Sequence, residues 1–232
     1  MNNPETHNDS PPKVGKRSRT RGLVAILVAG VLGWIALDLY GPRATDIRRF
    51  DPNEVARLDT AMWRSYYDKE RLRLFGQLAE LLRTQYRMPL LRSHVAAYHA
   101  ARAAFIFKEG HNRADYEKAL PSLVSFYAAI RKISNLPFDV DRAAQLELEW
   151  WIVHREEHGH APDKLIQALA EVPAEIYSVP AERLMEHARL RAEAMTIRDT
   201  KATAGHVTEA DWEQIGNLLR ASYQSLSRAI NP

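Results

Sequence analysis

The chain has 232 residues, no cysteine and a formal net charge of +3 at pH 7, and 46% of its residues are hydrophobic. The missing thiols exclude disulfides, iron–sulfur clusters and cysteine-ligated zinc. The positive excess is local: residues 1–21 carry Lys13, Lys16, Arg17, Arg19 and Arg21 against Glu5 and Asp9, which leaves the remainder close to neutral and without the basic stripe that marks a nucleic-acid partner.

Residues 1–21 are rich in Asn, Ser, Pro, Lys and Arg, and read as a disordered basic cytoplasmic tail held close to anionic membrane lipid. An apolar run follows from Leu23 to Leu37 and continues past Asp38 to Tyr40. At about 1.5 Å per helical residue, residues 22–40 approach the roughly 30 Å of a bilayer's hydrocarbon core, so a single transmembrane helix is predicted there. The basic residues before the run outnumber Arg43, Arg48 and Arg49 after it, which predicts a cytoplasmic N-terminus and an exported main domain, periplasmic if the membrane is a bacterial inner membrane. Asp38-Leu39-Tyr40-Gly41-Pro42 offers no small-x-small cleavage site, so the run reads as an anchor. Ala25, Ala29 and Gly33, at four-residue spacing, form a small-residue stripe that would let two such helices pack as a homodimer.

Residues 41–50 read as a linker and 51–232 as one exported all-α domain. Asp51-Pro52-Asn53-Glu54 opens the first helix with an N-cap, a proline at the first position and a reciprocal glutamate. Val55, Leu58, Met62 and Tyr66, then Phe75, Leu78 and Leu82, recur at helical spacing, which predicts one long helix to about Tyr86. The next is expected from Leu90 to Glu109, with Leu91, Val95, Tyr98, Phe105 and Ile106 inward and Gly110 as a left-handed cap. Asp115 to Ile133 is helical but holds Pro121, which kinks that helix or begins a new one. Phe138-Asp139 starts another that turns Leu148, Trp151 and Ile152 inward and closes at Gly159. A short turn over Asp163 to Ala170 and a helix from Pro180 to about Thr200, lined by Leu184, Ala188, Ala192 and Met195, come next. Thr208-Glu-Ala-Asp211 is a capping box before a last helix with Trp212, Ile215, Leu219, Leu226 and Ile230 on one face. The fold class is all-α: a transmembrane helix followed by an antiparallel bundle of roughly six to seven helices.

The sharpest local pattern is His154-Arg155-Glu156-Glu157-His158. Two histidines four apart share a helical face and can hold one zinc ion, with the intervening carboxylate as general base. The pattern resembles the H-x-x-E-H signature of the pitrilysin and insulin-degrading peptidases. The resemblance implies His154 and His158 as ligands and Glu157 as base; it covers five residues, and no acidic residue follows Glu213 to supply the downstream glutamate of that family. His160 adds a third imidazole, so the cluster could hold a metal without hydrolysis.

On the same helix Glu147 and His154 share a face with Trp150 and Trp151 between them. With Arg64 and Tyr67 of the first exported helix they are candidate pocket residues, or else a core cluster that satisfies its own polar groups. His187 with Arg191, and His94 with Tyr98 and Arg102, are expected in interhelical hydrogen bonds, the alternative being a pocket shared with Trp63, Arg64 and Tyr67. The function expected from these features is an anchored binding or assembly module that recognises a protein partner at the membrane surface and needs no cofactor; the alternative is a metal-binding protein or zinc-dependent hydrolase.

Overall fold

A computed structural model of the chain describes residues 16–156 and 162–231. The chain divides into two compact units, residues 1–41 and 42–232. The first contains α1 (Lys16–Tyr40), whose segment Arg21–Tyr40 is long and apolar enough to cross a membrane and holds no buried residue.

The second unit is an all-α bundle: α2 (Pro52–Tyr67), α3 (Arg71–Thr84), α4 (Leu90–Glu109), α5 (Arg113–Glu117), α6 (Leu120–Ile133), α7 (Val140–Glu156), α8 (Pro162–Tyr177), a 3-10 turn (Ala181–Leu184), α9 (Met185–Thr203) and α10 (Glu209–Ile230). Among the described residues there is no strand, only an isolated bridge between Thr45 and Ser134. Consecutive helices pack on one another from α2 to α5 and from α6 to α10, α4 packs also on α6, and α10 closes the bundle against α9 and α2. The segment read as a linker is part of this unit from Pro42 onward. Ile47 is fully buried, and Arg48 donates to the Tyr177 carbonyl at 2.8 Å.

The caps decide where helices end. Asp51 accepts from the backbone N–H of Asn53 and Glu54 at 2.9 and 3.3 Å, and the Thr208–Asp211 capping box forms as expected. The long helix expected to Tyr86 is instead two helices, because Lys69 takes a left-handed conformation (φ 62°) and the Glu70 N–H closes back on Ser65 at 2.8 Å. Ser178 (φ 53°) ends α8 in the same way, with Val179 N–H on the Ala174 carbonyl at 3.2 Å. Gly110, expected to be left-handed, is extended at φ −72° and ψ 151°. Pro121 begins α6, and Pro173 sits inside α8, which runs to Tyr177 where the sequence predicted a turn to Ala170.

The inward lines of α9 and α10 are as the periodicity requires: Leu184, Ala188, Ala192 and Met195, then Trp212, Ile215, Leu219, Leu226 and Ile230, are all buried. α4 differs. Its buried residues are Arg92, Ser93, Ala96, Ala97, Ala103 and Phe107, while Val95 and Tyr98 are turned out at 46% and 54% exposure. Small side chains let α4 approach α3 and α6 closely.

One polar network is enclosed by α2, α9 and α10. Asp59 accepts from Arg191 at 2.6 Å and from the Tyr223 hydroxyl at 2.8 Å. Burial alone would lower the Arg191 pKa, but Asp59 outweighs it and raises it. One turn earlier His187 Nδ1 meets the Ser222 hydroxyl at 2.7 Å, so the expected interhelical bonds of His187 and Arg191 are made. His94 instead bonds the Leu90 carbonyl of its own helix at 2.7 Å.

Burial, aided by the Arg191 charge, pushes His187 down to about 4 from 6.5. Between those values the unfolded chain takes up a proton that the folded one refuses. His187 therefore contributes stability that is fully present above pH 6.5 and lost as pH falls toward 4, by about 3 kcal/mol. Thermal unfolding of wild type and His187→Gln from pH 7.5 to 4 is expected to show a gap that shifts in favour of the variant as pH falls. Parallel profiles would contradict a buried neutral imidazole.

Candidate functional site

Glu147, Trp150, Trp151 and His154 occupy positions i, i+3, i+4 and i+7 of α7, so they stack along one face. That face meets the C-terminal ends of α2, α4 and α9. Phe107 of α4 packs edge-on to Trp151 with ring centroids 5.3 Å apart, and His154 Nε2 lies 2.9 Å from Asp199 Oδ2 of α9. The Arg198 guanidinium lies 3.1 Å from the centre of the Tyr67 ring, and Lys108 Nζ lies 5.0 Å from that of Tyr66.

Between them is a cleft of about 680 Å³, walled by Trp63, Tyr66 and Tyr67 of α2, Leu74 and Leu78 of α3, the α7 face, and Met195, Arg198 and Asp199 of α9. It stays open because α4 contributes Ala100, Ala101 and Ala104, side chains too short to fill the space between the rings. The volume falls in the range of about 300–1,000 Å³ typical of sites that enclose one small ligand.

Polar groups are few and placed. Glu147 accepts from the Tyr127 hydroxyl at 2.8 Å and from Trp151 Nε1 at 3.0 Å, so both carboxylate oxygens are bonded. Asp199 bridges His154 and Arg198, the latter at 2.7 Å. Burial would raise its pKa, but the hydrogen bonds from His154 and Arg198 prevail and lower it. Burial pushes the Tyr67 hydroxyl up to about 12, despite the nearby Arg198 charge, so it is a neutral donor at physiological pH. Arg155 stacks 4.0 Å above Phe107 and donates to the Phe107 and Gly110 carbonyls at 2.7 and 3.2 Å, capping α4.

The structure thus brings together Glu147, Trp150, Trp151, His154 and Tyr67. Arg64 does not join them: it pairs with Glu209 at 2.9 Å and lies over Trp212 of α10. Arg155, Arg198, Asp199 and the alanine face of α4 were missed. Arg198 and Asp199 lie just past the apolar line that ends at Met195, and a run of alanines reads as helix propensity before it reads as the wall of a cleft.

Glu157, His158 and His160 lie outside the described residues. His154 has its Nε2 engaged by Asp199, and no group of three ligating side chains forms a metal site among the described residues. Ala25, Ala29 and Gly33 are all exposed on α1, and nothing within 4 Å would meet a Cβ at Gly33. Compared with protein-family models, with curated proteins and with solved structures, the chain matches none.

Replacing Glu147 with Leu leaves the buried Tyr127 hydroxyl and the Trp151 N–H without an acceptor, and is expected to lower unfolding free energy by about 1–3 kcal/mol. His154→Ala breaks a pair whose side chains are 23% and 38% exposed, and should cost less than about 1 kcal/mol. Chemical denaturation of the two variants checks the ranking; equal losses would contradict it.

Proposed function

We propose that the chain is a membrane-anchored helical binding module whose α1 spans the bilayer with its N-terminus cytoplasmic and whose exported bundle binds a ligand in the aromatic cleft. The observation that carries this reading is the cleft itself, a mostly apolar concavity with a small number of converging polar groups. The anchor is supported by the apolar length of Arg21–Tyr40 and the orientation by the basic residues that precede it. Fixed at a membrane, such a site samples lipid-borne and membrane-proximal ligands at raised local concentration.

A specific observation favours a second use of the same module. The outer face of α4 presents Leu90, Val95 and Tyr98 at 44%, 46% and 54% exposure, and Leu72 of α3 is 89% exposed. Apolar side chains grouped on one helix face suit recognition of a protein partner. Charged replacements at Val95 and Tyr98 would remove that recognition and leave the cleft intact.

Two measurements test the main reading. In bacterial cells, a reporter enzyme active only outside the cytoplasm and fused after Pro232 is expected to be active; an inactive fusion would reverse the orientation. With the full chain in lipid nanodiscs, energy transfer from tryptophan to the neutral probe N-phenyl-1-naphthylamine should saturate, since Trp63, Trp150 and Trp151 line the cleft. Ala101→Leu/Ala104→Leu, which fills the cleft, should weaken the transfer roughly tenfold in affinity, about 1.4 kcal/mol. Equal affinity in the filled variant would overturn the cleft as the binding site.

A further inference from the structure

The rings around the cleft are already faced by the protein's own cations. Lys108 lies over Tyr66, Arg155 over Phe107, Arg198 over Tyr67 and Arg191 over Trp63. A ligand cation would have to displace these groups and enter against their charge, so the aromatic walls are not a free ammonium cage.

The charges are unevenly matched. Arg191 is paired with Asp59 and Arg198 with Asp199, whereas Lys108 and Arg155 have no carboxylate within ion-pair distance among the described residues. Part of the Arg155 charge complements the carbonyl end of α4, through one nitrogen. The rest of that guanidinium and the Lys108 ammonium remain as donors beside the cleft. Arg198 adds a buried Nε with no acceptor among the described residues, an orphan that calls for a partner. Glu147, the carboxylate farther along the cleft, has both oxygens bonded and lies eight residues before Arg155, about 12 Å along α7. The cleft is therefore mostly apolar, with cations that no carboxylate among the described residues matches at the end where the helices terminate.

We propose that the cleft takes a single-chain amphiphile with an anionic head, a fatty carboxylate, with its apolar body against Trp150, Trp151 and Met195 and its carboxylate at Arg155 and Lys108. The inference rests on the cleft being the binding site, as proposed above, and names the class of ligand. A carboxylate suits the planar guanidinium, which can present paired donors to its two oxygens. The membrane next to the module is a reservoir of such molecules.

Four twelve-carbon probes with a chain-end diazirine, differing only in a carboxylate, phosphate monoester, hydroxyl or trimethylammonium head, test this with the full chain in nanodiscs. Cross-links mapped to α4, α7 and α9 report the cleft, and cross-links to α1 report simple partition into lipid. The carboxylate probe is expected to label the cleft, relative to α1, at least fivefold more than the hydroxyl probe and more again than the ammonium probe. Lys108→Glu, at an exposed position, should reduce that preference, and Lys108→Glu/Arg155→Gln should abolish it. Equal cleft labelling by the hydroxyl or ammonium probe would overturn the head-group inference while leaving the cleft as a site. Preference for the phosphate would overturn the carboxylate. Labelling no greater than in Ala101→Leu/Ala104→Leu would overturn both the inference and the reading it rests on.

Discussion

Asp59 holds the bundle's most consequential contact. Its carboxylate is buried on α2 and receives Arg191 from α9 and Tyr223 from α10, so α2 is fixed on one oxygen to two helices more than a hundred residues later in the chain. An ion pair this enclosed adds little net stability over apolar packing, yet removing either partner strands a charge in a low-dielectric interior, at about 3–5 kcal/mol. Its value is in registration. Arg191 also lies 5.3 Å from the centre of the Trp63 ring, and Trp63 walls the cleft. The position of α2 relative to α9, and with it the spacing between Tyr67 and Arg198, depends on this pair.

The cleft follows from a mismatch in side-chain size. α2 and α7 bring five large rings to one place, while α4 answers with alanines, and rigid rings cannot spread to fill what short side chains leave. Elsewhere the same alanine-rich character lets helices pack closely, as at Ala96, Ala97, Ala143 and Ala144, all fully buried. The polar groups that reach the cleft are held by neighbours: Glu147 by Tyr127 and Trp151, Asp199 by His154 and Arg198. Such a site is largely pre-formed, and a ligand would meet little reorganisation.

Much of the fold was legible because hydrophobic periodicity and polar caps are local signals. The inward faces of α9 and α10, the start of α2 at Asp51, the bounds of α4 and the capping box at Thr208 all lie in the sequence. What escaped was carried by residues whose type does not announce their conformation. Lys69, Arg87 and Ser178 adopt positive φ without being glycine, and Gly110, which could have, does not. The segment read as a short turn over Asp163 to Ala170 is the start of a full helix, α8, which continues past Pro173 to Tyr177. Within the site, Glu147, Trp150, Trp151 and His154 were visible as one face of α7, and Tyr67 as an aromatic of the first exported helix. Arg64 faces α10 instead, and the arginines at the cleft come from α7 and α9, which no local pattern on α2 could indicate.

A membrane-capable helix, a bundle fixed by a buried ion pair and an aromatic cleft flanked by cations are the features on which the proposed function rests. Native mass spectrometry of the full chain released directly from the membranes of cells that express it tests that account most directly. A one-to-one adduct on the wild-type chain that is absent from Ala101→Leu/Ala104→Leu is the result the account predicts. An unliganded wild-type chain, or an adduct that persists when the cleft is filled, would contradict it.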